Sequence, residues 1–392
     1  MKSIHEEKSR AITRKQFLKA GAAGVCGLFV AGLNVRDLPA EVRAALSTRT
    51  AGKGFVNPQK SPWFQKLGDN IIECRLCPNQ CRLEPGQRSV CRVRENINGQ
   101  GYTLAYGNPA LIQEDHVERK PFFHVVPGCR VLSVSTAGCN LKCRFCEVWD
   151  MALVKPEQVY AYDMSPENVV AHARNAGLRA VSFAFGEPVV FYEYMTDTAG
   201  LARDAGMLNL VHSAGYIRSR PLKELCEIID AANIDLKGFD PEFYRNYVGG
   251  DIKVVLDTLV ALKRSGIHIE ITSIVIPTLN DQPARIREMC AWIIRELGAD
   301  TPLHFSRFYP LYRLSALPRT PVSTLDMARE TAREAGLNYV YVAKVTGHDG
   351  ENTFCPGCGE KIISRLGFII DQVKINDGRC EICGHEIPGI WV

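Results

Sequence analysis

Val131-Leu-Ser-Val-Ser-Thr-Ala-Gly-Cys139-Asn-Leu-Lys-Cys143-Arg-Phe-Cys146 runs from a β-branched apolar stretch straight into three cysteines spaced C-x3-C-x2-C. Three thiolates that close can hold three irons of a [4Fe–4S] cube, which ordinarily takes four cysteines. With no fourth ligand, one iron keeps an open position, and an open position on a metal is where chemistry occurs. The competing reading is three cysteines of an ordinary zinc or ferredoxin loop. The strand before them and the pattern after them decide against it.

Downstream, short β-branched runs alternate with helix-like stretches. Strands are expected at 130–136, 180–185, 208–213, 233–237, 267–276, 303–308 and 339–342. Amphipathic helices are expected at 166–176, 196–205 and 251–265, and Pro221 stands where an N1 proline would open a helix over 222–232. Such alternation implies βαβ units and a parallel sheet, and six or seven units fit a complete or incomplete barrel. Active sites of such barrels sit at the carboxyl ends of the strands, where the triplet falls.

C-x3-C-x-Phe-C after a strand resembles the signature of the radical S-adenosylmethionine (SAM) superfamily. The resemblance implies a partial (β/α)6 barrel, a [4Fe–4S] cluster on Cys139, Cys143 and Cys146, and SAM chelated to the open iron. It places Phe145 near the adenine. Gly186-Glu187, closing the second strand, resembles the motif that receives the SAM amino group; a carboxylate suits an ammonium, and glycine lets the main chain come close. Asp235 and Lys237 share a face by strand period, and resemble the Asp-x-Lys that helps hold SAM in glycyl-radical activating enzymes. Ser213 is expected to meet the ribose. His304 and Arg307 are expected either to face substrate or SAM, or to make structural hydrogen bonds. Trp149 is expected in the core.

Further segments narrow the likeness: Lys120-Pro-Phe-Phe-His124, Phe191-Tyr-Glu-Tyr194, Ile276-Pro277 and Leu279-Asn-Asp281. From about residue 70 onward the chain resembles the AmmeMemoRadiSam-system radical SAM enzymes, relatives of pyruvate formate-lyase activating enzyme. It departs from them at Glu147-Val148, Phe185-Gly186 and Ala214, all expected at the barrel mouth, which points to a different substrate. The implied reaction is reductive cleavage of SAM to methionine and a 5′-deoxyadenosyl radical that takes hydrogen from a substrate. A low-potential donor of flavodoxin or ferredoxin type would supply the electron. The substrate class, small molecule or protein, stays open. Rival readings are an activase that installs a glycyl radical on a partner protein and a multicentre electron carrier.

The chain has fifteen cysteines in 392 residues, mostly clustered. Clustered cysteines read as metal sites rather than a disulfide framework. Cys74, Cys77, Cys81 and Cys91 lie in a turn-rich stretch and admit a second [4Fe–4S] cluster, zinc, or no metal. Cys355, Cys358, Cys380 and Cys383 form two Cys-x2-Cys-Gly knuckles, as in a zinc ribbon, with strands expected at 361–365 and 368–375; a rubredoxin-like iron is the alternative. Cys26, Cys129, Cys226 and Cys290 are expected as small core residues. A net charge of +4 gives no reason to infer a nucleic-acid partner.

At the N-terminus, Thr13-Arg-Lys-Gln-Phe-Leu-Lys19 precedes an uncharged run over 20–35, shorter than the ~20 residues of a membrane span. It resembles a twin-arginine signal with Lys15 in place of the second arginine. This implies export of a folded, cofactor-loaded protein to the periplasm or an outer membrane face; the alternative is a cytoplasmic protein with an uncleaved helix or anchor. SAM and low-potential electrons are cytosolic supplies, which stands in tension with export. The expected organisation is a signal or anchor over 1–36, a linker over 37–69, a Cys-rich segment over 70–125, the barrel over 126–345 and the ribbon-like module over 350–392.

Overall fold

The computed structural model describes residues 49–391, so the signal reading and Cys26 lie outside the described residues. An eight-stranded sheet organises the chain. Its strands are β1 (Leu111–His116), β2 (Arg130–Ser135), β3 (Ala180–Phe183), β4 (Leu208–Ser213), β5 (Ala231–Asp235), β6 (His268–Val275), β7 (Leu303–Arg307) and β8 (Val340–Ala343). They neighbour one another in chain order; β1 is antiparallel to β2 and every other pair is parallel. Each of the seven strands expected from β-branched runs is present. β1 escaped notice because Leu-Ile-Gln-Glu-Asp-His carries few strand-forming residues and sits at an edge.

Between the strands lie α1 (Pro166–Asn175), α2 (Tyr192–Asp204), α3 (Ser219–Cys226), α4 (Ile252–Arg264), α5 (Pro283–Leu297) and α6 (Val322–Glu334). In α4, Ile252, Val255, Leu259 and Leu262 recur at helical spacing and are buried, while the Asp251 side chain caps Lys253 N–H at 2.9 Å. Each such buried side chain contributes about 1.5–3 kcal/mol. All six helices pack into one apolar cluster with Leu132, Val134, Val181, Phe183, Ile234 and Ile271 of the sheet. Those strand residues share one face by register. The other face, free of helices, carries Ser133, Ser182, His212, Asn233, Asp235 and Thr272.

The amino end of this second face has an apolar floor that includes Val131, Ala180, Leu210, Ala231 and Phe122. Beside it a buried polar knot anchors the C-terminal module. The Glu270 carboxylate accepts from Phe123 N–H (2.8 Å), His124 N–H (2.8 Å) and His304 Nε2 (2.6 Å). His124 Nδ1 lies 2.6 Å from the Pro388 carbonyl, and its Nε2 lies 2.7 Å from the Tyr341 hydroxyl. Arg365, also buried, donates to the Phe123 carbonyl at 2.7 Å. His304 is thus the second residue of β7, far from the carboxyl end, and its contacts are structural. Arg307 donates to the Thr320 carbonyl at 2.8 Å.

The expected linker is, over its described part, three short strands. Arg49–Lys53 pairs with Tyr160–Asp163, Gln59–Lys60 with Gln100–Thr103, and Phe64–Gly68 with Ile71–Cys74. Prolines and glycines there punctuate short strands, two of which pair with partners remote in sequence. The Cys-rich segment is fastened to α2 by a buried bidentate pair, Arg94 to Glu193 at 2.6 and 2.9 Å. Trp63 stands edge-on to Tyr192, with centroids 5.2 Å apart. Phe191-Tyr-Glu-Tyr194 therefore serves packing. In the C-terminal module, strands Lys361–Leu366 and Ile369–Val373 pair antiparallel, close to expectation.

Candidate active site

Parallel strands in register put their carboxyl ends on one side, and the expected site residues gather there. The loop after β2 carries Cys139, Cys143 and Cys146. Its backbone lies along a helical turn at Tyr244–Val248: Lys142 N–H donates to the Val248 carbonyl at 2.9 Å and Arg144 N–H to the Tyr247 carbonyl at 2.8 Å. Phe145 is buried and stacks on Phe243, centroids 5.9 Å apart, so the ring braces the loop from within. Burial pushes all three thiols above their ordinary value, Cys143 to about 12, with the Lys237 ammonium opposing at Cys143 and Cys146. Three sulfurs so placed become thiolates when a bound metal supplies positive charge.

Gly186 and Glu187 follow β3. Gly186 N–H donates to Ser135 Oγ at 3.0 Å. A Cβ at Gly186 would meet that oxygen at 2.5 Å and the Thr136 carbonyl at 3.2 Å, so only glycine permits this approach to the cluster loop. The Glu187 carboxylate accepts from Ser213 Oγ (2.7 Å), Ala214 N–H (2.9 Å) and Val189 N–H (3.1 Å). Burial pushes its carboxyl up, and those donors oppose the shift. An ionised carboxylate has about four acceptor positions, and the fold uses three of them. Glu187 therefore ties the end of β3 to the end of β4. Ser213 is committed too, since its hydroxyl also accepts from Gly215 N–H at 3.0 Å.

Asp235 ends β5 between two partners: Lys237 Nζ at 2.7 Å and His212 Nε2 at 3.0 Å. Burial works against the Asp235 charge, but Lys237 and His212 outweigh it and hold its carboxyl well below the usual range. Likewise burial works against the Lys237 ammonium, and the charge of Asp235 holds it protonated. Asn280 fixes this corner: its Nδ2 donates to the Lys237 carbonyl (2.9 Å) and the Ile274 carbonyl (2.8 Å). That is the role of the Leu-Asn-Asp segment. His212 was missed by the sequence reading; the available signal was a histidine one residue before the carboxyl end of a strand.

At the mouth, Glu147 pairs with Lys344, the residue after β8, at 2.5–2.6 Å. Trp149 is 42% exposed and stacks on Tyr312 at 5.5 Å, so it belongs to the rim, not the core. On the helix-free face, the Ser133 and Ser182 hydroxyls sit at matched register, fully buried, without a hydrogen-bond partner.

The two outer cysteine sets differ in geometry. Cys355, Cys358, Cys380 and Cys383 bring their sulfurs within 4.8 Å of one another, with Cys355–Cys383 at 3.6 Å and Cys358–Cys380 at 3.9 Å. Tetrahedral thiolates on one ion at about 2.3 Å stand about 3.8 Å apart, so this set fits a single ion. Gly359 and Gly384, one after each knuckle, both have φ of 76°. Cys74, Cys77, Cys81 and Cys91 line one cavity with Arg94 and Asn140.

A chain with this parallel sheet and this cysteine loop is a radical SAM enzyme: the model of the Radical SAM superfamily matches residues 133–290, and the protein belongs to that superfamily. An uncharacterized protein of Methanocaldococcus jannaschii is 40% identical over 331 residues, covering 84% of this chain and 98% of its own. Pyruvate formate-lyase-activating enzyme of Clostridium pasteurianum is 26% identical over 174 residues, 42% of this chain and 68% of that protein. Among solved structures, a radical SAM methyltransferase from Sphaerobacter thermophilus is similar with a TM-score of 0.46 at 16% identity, covering 82% and 89% of the two chains. Membership sets aside the pure electron carrier. The family's cofactors are a [4Fe–4S] cluster and SAM, and its members require a reductant. Among the described residues no helix is long and apolar enough to cross a membrane.

Proposed function

We propose that the protein cleaves SAM reductively on a cluster held by Cys139, Cys143 and Cys146, and uses the resulting 5′-deoxyadenosyl radical to take hydrogen from a substrate. The observation that carries this is the convergence of three thiols, the Asp235–Lys237–His212 cluster and the Gly186 approach at one end of a parallel sheet. The donor set fits: three sulfurs for three irons, with Lys237 as the neighbouring cation. When bound, the cluster and SAM supply the electron transfer and the radical. Asp235 and Lys237 present a polar wall suited to the charged end of SAM. Glu187 and Ser213 act by holding β3 and β4 together, and Phe145 by bracing the loop.

The sheet curls into a partial barrel in this reading. Three observations support it: all six helices share one face, His124 reaches β8 through Tyr341, and Glu147 of the loop after β2 reaches Lys344. The inner face then forms the substrate wall, and its polar residues His212 and Asp235 suit a substrate with polar groups. Zinc at Cys355, Cys358, Cys380 and Cys383 would supply folding energy to a small module. The likeness to pyruvate formate-lyase-activating enzyme favours a narrower second reading, a glycyl radical installed on a partner protein; that reading requires a doublet EPR signal on the partner.

The test is anaerobic reconstitution with SAM and dithionite. 5′-Deoxyadenosine should form with the native chain and fall to background in Cys143→Ala. No product with the native chain, or equal product in the variant, overturns the proposal.

A further inference from the structure

We infer that Lys120 is a positioning residue of the radical site: its ammonium holds the Phe185 ring and so keeps the loop after β3 in the conformation that brings Gly186 against Ser135. This role rests on SAM binding at the carboxyl end of the sheet, as proposed above. The first ground is the backbone. Phe185 has φ of 70°, in the left-handed region that an L side chain occupies at a cost. A residue stays there when its surroundings hold it. Its place in the chain is a pivot. Just before it, Ala184 N–H still follows the sheet and donates to the Val134 carbonyl at 3.3 Å. Just after it, Gly186 N–H has turned to Ser135 Oγ at 3.0 Å. Ser135 ends β2, directly ahead of the cysteine loop.

The second ground is what meets the Phe185 ring. Lys120 Nζ lies 4.0 Å from its centroid, and the Arg119 guanidinium carbon lies 5.7 Å from it. Both cations are fastened to β1: Lys120 Nζ donates to Asp115 Oδ2 at 3.0 Å, and Arg119 Nη1 is 3.1 Å from the same oxygen. The two differ in burial. The Arg119 side chain is 43% exposed, whereas that of Lys120 is 1% exposed. An ammonium withdrawn from water gains most from the negative face of a ring. A plain buried ion pair does not account for Lys120, because Arg119 and Gln113 Nε2, at 3.3 Å, also serve the Asp115 oxygen. What Lys120 adds is a buried positive charge against Phe185.

This contact titrates. Burial brings the Lys120 amine down to about 8, with Asp115 opposing the shift. The charged groups facing it are Asp115 of β1 and Arg119 of its own turn, while the loop after β3 presents the Phe185 ring. As pH rises through that value the ammonium is lost, and its attraction to the ring goes with it.

The experiment compares the full native chain with Lys120→Met, which keeps an apolar stem and leaves Asp115 its bond to Arg119. The first readout needs no cofactor. In the iron-free chain, Gly186 N–H should exchange with solvent about tenfold faster in Lys120→Met, the scale of one desolvated cation–aromatic contact. Equal exchange overturns the inference. Should Lys120→Met not fold, Phe185→Leu removes the ring, keeps the lysine and must show the same fast exchange; slow exchange there overturns the inference as well. The second readout is SAM affinity, followed by the change SAM causes in the EPR signal of the reduced cluster. At pH 7 native protein should bind SAM about tenfold more tightly than Lys120→Met, and by about pH 9 the two should converge. Parallel pH profiles overturn the inference alone. No SAM-dependent change in native protein would sink the proposed reaction, and this role with it.

Discussion

The two ends of the parallel sheet use the same residue types for opposite purposes. At the carboxyl end, Asp235 sits between Lys237 and His212 beside three thiols. At the amino end, Glu270 sits between His304, His268 and two backbone N–H groups beneath the C-terminal module. Both are acids with cationic or polar partners, and in both those partners hold the carboxyl below its usual range. The amino-end knot is closed on every side by protein, while the carboxyl-end cluster keeps one side toward the cysteine loop. Chemistry is placed by which end of a strand a residue occupies, and a side-chain inventory does not carry that information.

The largest expected effect lies at the closed end. Glu270→Leu leaves two N–H groups and two imidazoles without their acceptor, and breaking a buried network of this kind costs about 3–5 kcal/mol. Urea unfolding should show it, together with release of the C-terminal module to proteolysis. A loss under 1 kcal/mol would show that the knot is not what anchors that module.

Asp235→Asn, at the open end, should cost less fold and more function. The carboxylate is partly exposed, and losing charge-assisted hydrogen bonds costs about 1.5–3 kcal/mol. SAM affinity, followed by the change SAM causes in the cluster EPR signal, should fall at least tenfold (about 1.4 kcal/mol). Unchanged affinity would mean that the Asp235–Lys237 pair only supports the loop.

Acid should open the closed end first. Burial holds the His124 ring down at about 3, with Glu270 opposing, whereas an unfolded histidine titrates near 6.5. Below that value the unfolded chain takes a proton that the folded chain refuses. Stability therefore falls as pH drops through the window from about 6.5 to about 3, by about 2 kcal/mol at pH 5. Unfolding at pH 7 and pH 5 should show this loss in the native chain and a smaller one in His124→Gln. Equal losses would remove His124 as the cause.

The sequence yields the seven parallel strands because their β-branched runs are bounded by turn residues, and the triplet because its spacing is local. It left His304 between a site role and structural hydrogen bonds, and the structural alternative holds, because its partner Glu270 lies on the neighbouring strand. Trp149, expected in the core, is 42% exposed, because the Tyr312 ring it stacks on is remote in sequence and lies at the surface. Glu187 and Ser213 were found as residues but not as a pair, because their hydrogen bond joins two strand ends. His212 became visible only when β4 and β5 were aligned. What stayed hidden in each case is a contact between segments distant in sequence.

The smallest expected effect is the one that best separates the two ends. Ser182 is fully buried on the inner face, and its hydroxyl has no partner. An unpaired buried hydroxyl costs a fold about 1–3 kcal/mol of lost hydration, so deleting it costs little or stabilises. Ser182→Ala should therefore shift unfolding by no more than about 0.5 kcal/mol downward, or raise it, in contrast to Glu270→Leu. The void left by the removed hydroxyl is about one methyl group in size and offsets part of that gain. A fall of about 1–2 kcal/mol would mean that the hydroxyl is satisfied in the folded chain. A neutral or stabilising result would mark Ser182 as a buried polar group that the fold keeps at a cost to stability.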